Sequence, residues 1–333
     1  MISQDIRKIA PEMDPLRRGM GWSSEDLSKP QIIVESTFGD SHPGSAHLDE
    51  FVKESIEGIS EKGGKGSRYF ATDICDGQAQ GHDGINYSLA SRDIIASLIE
   101  IHANATPFDG GVFISSCDKG VPAHLMAIGR VNIPSIIVTG GVMEAGPNLL
   151  TLEQIGMYSA QYQRGEITEE ELTYYKNNAC PSCGACSFMG TASTMQVMAE
   201  ALGLMLPGSS LMPATCQDLK TIAKKAGEQA VELAKMIHFL EGTNNYGIFH
   251  ATCEGETNWA DFTEAFYAKL GITAKVNHIT SEEYAKMNPE AAKRPAYSNL
   301  DNYMLRLTTD QFAMANWEDA LDVYLKDFDM ENC

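Results

Sequence analysis

The chain has 333 residues, 43% hydrophobic and 21% charged, with 45 acidic side chains against 25 basic ones, a formal net charge of -20. That composition excludes a disordered or fibrous chain, and the length leaves room for two domains, each with a buried core. The acidic balance argues against nucleic acid as a partner, because binding a polyanion draws most of its affinity from Lys and Arg at the phosphates.

The longest apolar runs, such as Ile133 to Val138, are strand-sized, so no membrane span is expected. The first residues, Met1 to Lys8, lack the apolar stretch of a signal peptide, and a cytoplasmic location is expected. Eight cysteines are too sparse for a disulfide scaffold; in a reducing compartment, clustered thiols point to metal or redox chemistry.

In chain order, Gln31 to Glu35, Gly111 to Ser115 and Pro134 to Thr139 read as buried strands, being short, rich in β-branched residues and followed by polar or Gly-rich turns. Leu48 to Glu61, Ser88 to Ala103 and Pro122 to Val131 carry helical spacing between them. The alternation predicts a layered α/β domain with a mostly parallel sheet. Gly63-Gly64-Lys65-Gly66-Ser67 has the wrong spacing for a phosphate loop and reads as a turn, and no dinucleotide fingerprint follows a strand. Gln154 to Asn178 reads as a helical surface excursion whose acidic run, Glu166 to Glu171, is a solvated face. After a long helix, Asp218 to His238, the polar patch Glu241 to Gly247 marks a boundary, giving domains over 1–240 and 244–333.

Cys180-Pro181-Ser182-Cys183-Gly184-Ala185-Cys186 presents three thiols at three-residue spacing. On spacing alone, iron–sulfur ligation, a redox pair, zinc and buried structural thiols all remain open. Two further segments, Cys75-Asp76-Gly77 and Cys117-Asp118-Lys119-Gly120, follow strand-like runs and place thiol and carboxylate together where open α/β sheets bind ligands.

Cys75 to Gly77, Gly81 to Asp93, Cys117 to Lys119, Gly140 to Gly146, Cys180 to Thr191 and Leu206 to Gly208 resemble the dihydroxy-acid and sugar-acid dehydratase family, nearest in wording to its aldonic-acid, xylonate-dehydratase-like branch, over residues 15–236. The resemblance implies a hydro-lyase that converts a 2,3-dihydroxy acid to a 2-keto-3-deoxy acid, with an iron–sulfur cluster (2Fe-2S or 4Fe-4S) and Mg2+. It implies Cys117 and Cys186 as cluster ligands, Asp76 and Asp118 as magnesium ligands, and Lys119 as a lysine carbamylated in relatives. It further implies a small-molecule sugar acid as substrate and a homodimer. Cys180 and Cys183 match the motif without matching its ligand position.

Two departures stand out. Gly44, in His42-Pro43-Gly44-Ser45, occupies the position where the family's two-iron members have a first cluster cysteine, and Cys75 is the expected substitute. Family members are also roughly twice as long, and their second domain supplies a Glu ligand and the Ser that takes the 2-proton. Here Tyr246 to Gly255, Lys293 to Asp301 and Trp317 to Leu321 instead resemble the carboxyl-terminal, substrate-binding part of dTDP-4-dehydrorhamnose reductases, a small α/β fragment over residues 244–329. That resemblance offers Arg294 and Ser298 as contacts to a sugar nucleotide. The alternatives to a working dehydratase are therefore a truncated or fused product without catalysis, or a sugar-nucleotide-binding accessory protein.

Overall fold

The computed structural model describes residues 1–187, 189–289 and 297–326. The described residues divide into two compact units, one over Met1–Phe239 and one over 240–326. Three short helices open it, α1 (Ile2–Ile9), α2 (Met13–Gly19) and α3 (Ser24–Ser28). Then β1 (Gln31–Ser36), α4 (Leu48–Glu61), β2 (Lys65–Phe70), α5 (Asp76–Ala79), α6 (Ser88–Ala105), β3 (Gly110–Ser115), α7 (Cys117–Val131) and β4 (Ser135–Thr139) alternate. Four more helices complete the unit: α8 (Ile155–Gln163), α9 (Glu169–Asn178), α10 (Thr191–Ala201) and α11 (Gln217–Glu241).

The four strands form one parallel sheet in the order β2-β1-β3-β4. Every residue of β1 and β3 is buried, because helices cover both faces and successive side chains point to opposite sides. Ile32, Val34, Val112, Ile114, Ile136 and Val138 pack on one side against Phe51 and Ile59 of α4 and Leu219 and Val231 of α11. Ile33, Phe113 and Ile137 face the other way, against Ile95 and Ile99 of α6, Val121 and Ala127 of α7 and Ala199 of α10. This is the layered α/β architecture expected. Helices α4 and α11 approach backbone to backbone: a Cβ on Gly227 would stand 2.2 Å from the Ser55 carbonyl oxygen, so only glycine fits.

The segment from Gly63, expected as a turn, instead enters β2 at Lys65. Its partly exposed residues are those of an edge strand, whose outer side needs no apolar cover. Helix α7 begins at Cys117, five residues before the expected start, so Pro122 lies inside the helix, where its missing N–H forgoes the bond to the Asp118 carbonyl. Residues 154–178 form the expected surface excursion; Thr168 and Glu171 cap α9 reciprocally, and Tyr158 stacks on Tyr175 at 3.7 Å.

One carboxyl is sealed in the sheet. Glu35 on β1 is fully buried, its Oε2 3.0 Å from His102 Nδ1 on α6 and its Oε1 without a partner. Loss of water pushes its pKa to about 8.

The second unit holds α12 (Trp259–Lys269), α13 (Ser281–Met287), α14 (Tyr303–Thr308) and α15 (Trp317–Lys326). Its described residues include no strand, only a parallel bridge between Glu254 and Asn316. Asn302 is buried there, donating to the Thr252 carbonyl (2.6 Å) and accepting from the Thr252 amide (2.9 Å).

Candidate metal centre

The candidate residues of the first unit gather beyond the carboxyl ends of the strands. The chain turns one way from β1 to β2 and the other way to β3, and the loops after β1 and β3 flank that switch point, the usual ligand-binding crevice of an open α/β sheet. After β3, Ser116 is extended and Cys117 takes φ 62°, a left-handed turn that swings the chain straight into α7. After β2, Cys75 is the N-cap residue of α5 and Asp76 its first residue.

The Cys180–Cys186 loop is fastened to the same strand ends. Ala185 N–H donates to the Gly141 carbonyl (3.0 Å), Met143 N–H to the Ala185 carbonyl (2.7 Å), and Gly184 N–H to the Pro43 carbonyl (2.9 Å). Gly184 has φ 113°, and a Cβ there would lie 2.5 Å from the Met143 nitrogen, so this seam demands glycine.

Lys119, 8% exposed, places its ammonium between two carboxylates: Nζ is 2.5 Å from Asp76 Oδ2 and 2.6 Å from Asp118 Oδ2. Burial alone lowers the Lys119 pKa, but the two carboxylates outweigh it and hold the amine charged. Burial also pushes Asp76 up; hydrogen bonds with Asp118, Lys119 and Ser88 outweigh that, and its carboxyl titrates below the usual range. Asp118 is pushed up, by burial first and then by the neighbouring Asp76. Asp76 Oδ1 is buried with no hydrogen-bond partner. That donor set is hard and oxygen-rich, as magnesium requires.

The thiols form the adjoining patch. Burial raises Cys117 far above an ordinary thiol, with the charges of Asp73, Cys186 and Asp118 adding to it. Cys186 is pushed up to about 11, by burial first and then by Glu153, Cys75, Cys180 and Asp118. Burial likewise raises Cys180, aided by Glu153 and Cys75. Cys183 faces a different set, Glu50 and Lys220. Buried thiols among carboxylates stay protonated until a cation reverses the local field, so the patch suits a cationic metal group. Among the described residues, the one trio of potential ligands with all atoms within 4.8 Å is the exposed Asp261, Glu264 and His278 of the second unit. Cys75, Cys117 and Cys186 do not form such a trio.

The first unit thus brings Asp76, Asp118 and Lys119 together, with Cys75, Cys117 and Cys186 alongside. Ser298 is exposed in the second unit, and Arg294 lies outside the described residues. Sequence reasoning passed over His42 and Asp73, both buried, whose His42 Nε2 and Asp73 Oδ1 lie 2.8 Å apart next to this site. The available signal is the segment His42 to Ser45, whose histidine adjoins the position of the absent cysteine.

Comparison with known proteins decides the lineage of this centre. The pattern of the dihydroxy-acid/6-phosphogluconate dehydratase N-terminal family matches residues 29–281. The chain belongs to that family. It is 42% identical over 245 residues to the dihydroxy-acid dehydratase of Dehalococcoides mccartyi strain CBDB1, covering 71% of this chain and 44% of that protein. The enzyme of the same name from Caldicellulosiruptor saccharolyticus is 38% identical over 291 residues, 83% of this chain and 52% of the relative. That from Caldanaerobacter subterraneus subsp. tengcongensis is 44% identical over 223 residues, 65% and 39% respectively. The chain spans about half the length of these relatives. The dehydratase pattern includes residues 244–281, where the sequence reading placed the start of a reductase-like segment. No helix among the described residues is long and apolar enough to cross a membrane.

Proposed function

We propose that this chain is the metal-binding part of a hydro-lyase acting on a 2,3-dihydroxy acid, with a sugar acid of the aldonate type as substrate. The observation that carries the reading is the Lys119 ammonium held between Asp76 and Asp118 at the strand ends, beside the Cys117 and Cys186 thiols.

The reaction removes the proton on C2 and the hydroxide on C3 as one water and leaves an enol, which becomes the 2-keto acid. Neither group leaves readily from a carboxylate, and both departures are helped by positive charge. Asp76 and Asp118 would hold Mg2+, with Cys75, Cys117 and Cys186 holding an iron–sulfur cluster. When bound, these groups supply Lewis acidity for the substrate carboxylate, the 2-hydroxyl and the departing 3-hydroxyl.

The chain's own part is to assemble and shield that field. Asp76 and Asp118 supply the oxygens, and the fastened Cys180–Cys186 loop fixes the soft side. Lys119 as an ammonium keeps the two carboxylates together without metal. As a carbamate, its oxygens would join theirs as ligands, which an ammonium cannot do. A homodimer is part of the same proposal.

The test is anaerobic preparation with iron and sulfide added, followed by 2-keto acid assays on aldonates and on 2,3-dihydroxyisovalerate with and without Mg2+. We expect iron uptake, Mg2+-dependent product from an aldonate, and turnover below that of the longer relatives. Product from 2,3-dihydroxyisovalerate alone would reassign the substrate; iron uptake without any product would favour a truncated or fused, non-catalytic chain. The resemblance of residues 244–329 to a dTDP-4-dehydrorhamnose reductase fragment supports a second reading, an accessory sugar-nucleotide site using Arg294 and Ser298. Calorimetry with a dTDP-sugar tests it, and heat of binding lost in Ser298→Ala supports it.

A further inference from the structure

We infer that the outer face of α6 is where two copies of this chain meet, helix against antiparallel helix about a two-fold axis. This rests on the homodimer of the reading above and supplies its surface.

Helix α6 buries Ile95, Ala96, Ile99 and Ala103 on its inner side, within the core under the sheet. At about 100° per residue, the opposite face carries Tyr87, just before the helix, and Ala90, Ile94, Ser97, Ile101 and Asn104, all exposed. Tyr87, Ile94 and Ile101 are 70%, 66% and 60% exposed, which leaves three large side chains standing in water along one row. A helix that covers a sheet ordinarily turns charge outward. Helix α4 of the same unit does so, exposing Glu50, Lys53, Glu57 and Glu61.

The row has the spacing of a coiled-coil seam. Large residues recur at 87, 94 and 101 and smaller ones at 90, 97 and 104, so that each set repeats every seventh position with the other between. In an antiparallel pair this alternation fits itself: Ile94 falls opposite the partner's Ser97, Ile101 opposite the partner's Ala90, and Tyr87 opposite the partner's Asn104. Bulk meets gap at every step. Such pairing is isologous, one patch serving both copies, and it closes at two.

The polar donors on the row are already engaged. Ser97 Oγ donates to the Asp93 carbonyl at 2.9 Å and Asn104 Nδ2 to the Glu100 carbonyl at 2.9 Å, so both turn back on their own helix and lose little when water leaves.

Charge selects the occupant. Two chains of net charge -20 repel each other, and they approach closely only where that charge is locally cancelled. The acids flanking the row are Asp93 and Glu100, and each is paired within the chain, Asp93 with Arg92 at 3.0 Å and Glu100 with Arg130 at 3.5 Å. The face is therefore neutral, which suits a copy of itself rather than a basic or an acidic partner.

The test is sedimentation velocity of the full chain at micromolar concentrations, with the variants Ile94→Lys and Ser97→Glu, each checked for native circular dichroism. We expect a dimer in the wild type and a dissociation constant raised about 100-fold or more in each variant alone, because two unpaired charges must be buried per dimer. Mixed in equal amounts, the variants are expected to dimerise again, since the introduced charges are opposite in sign and face each other across the pair. Recovery requires that both variants are folded, and it occurs only in the antiparallel register. A dimer that neither variant weakens overturns the face and leaves the homodimer standing; loss in both without recovery on mixing overturns the antiparallel pairing. A wild-type chain that stays monomeric overturns the homodimer as well and leaves the row to a different chain.

Discussion

The two units are stabilised by different means. In the first, Ile32, Ile33, Phe113, Ile114 and their neighbours are wholly removed from water on both faces of a parallel sheet. In the second, the buried apolar side chains among the described residues are Leu305 and Leu321, and order comes from short polar links. Arg306 joins Asp301 and both oxygens of Glu254, Asn302 clasps Thr252, and Asn258 and Thr280 cap α12 and α13. The contrast teaches where a rigid metal centre can be built: on the unit whose strand ends are fixed by dense packing, because surface hydrogen bonds and ion pairs are individually worth only about 1 kcal/mol.

The sharpest way to break this contrast is Phe113→Ala. It empties the centre of the sheet, and a loss of about 3–5 kcal/mol in chemical denaturation of the first unit is expected. A loss below about 1 kcal/mol would mean the core is not where the stability lies.

The next effect depends on pH. Glu35 titrates near 8 in the folded chain against 4.5 unexposed to burial, so the folded state holds its proton more tightly. The associated stability is complete below about pH 4.5 and is lost as pH rises through about 8, a change on the order of a few kcal/mol. Glu35→Gln keeps a donor for His102 and removes the titration. Unfolding midpoints from pH 5 to 9 are expected to fall more steeply in the wild type than in the variant; parallel curves would refute a neutral Glu35.

Leu305→Ala probes the other unit. Its surroundings are half open and can close over the gap, so about 2 kcal/mol is expected, at the low end for a buried leucine. The signal to follow is the fluorescence of Trp259 and Trp317, with Trp22 replaced by Phe. Asn302→Ala should cost the second unit about 1–2 kcal/mol by leaving the Thr252 amide and carbonyl unpaired. A larger loss from Asn302 than from Leu305 would sharpen the contrast, marking the second unit as polar in its energetics as well as its composition.

Legibility in the sequence followed burial. β1, β3 and β4 showed as continuous apolar runs because helices cover both their faces, and α4 matched its expected limits because its apolar stripe is unbroken. β2 escaped because its residues Lys65 to Arg68 are polar or glycine and only Ser67 of the strand is buried, whereas β4, at the other edge, keeps an apolar run and is bridged by Met205. At the site, Asp76, Asp118 and Lys119 were legible through motif resemblance, and the structure gathers them. His42 and Asp73 were not, since a residue pair 31 positions apart leaves no local pattern; folding alone reveals it.

Cys117 holds φ 62°, a backbone state that costs a side-chain-bearing residue about 1 kcal/mol or more and glycine almost nothing. Cys117→Gly is therefore expected to leave the metal-free chain as stable as before or stabilise it by up to about 1 kcal/mol, while removing the thiol. A designer optimising this backbone for folding alone would write glycine at position 117. The cysteine marks a point where residue and conformation disagree, and such disagreements persist in natural chains where chemistry outweighs ease of folding.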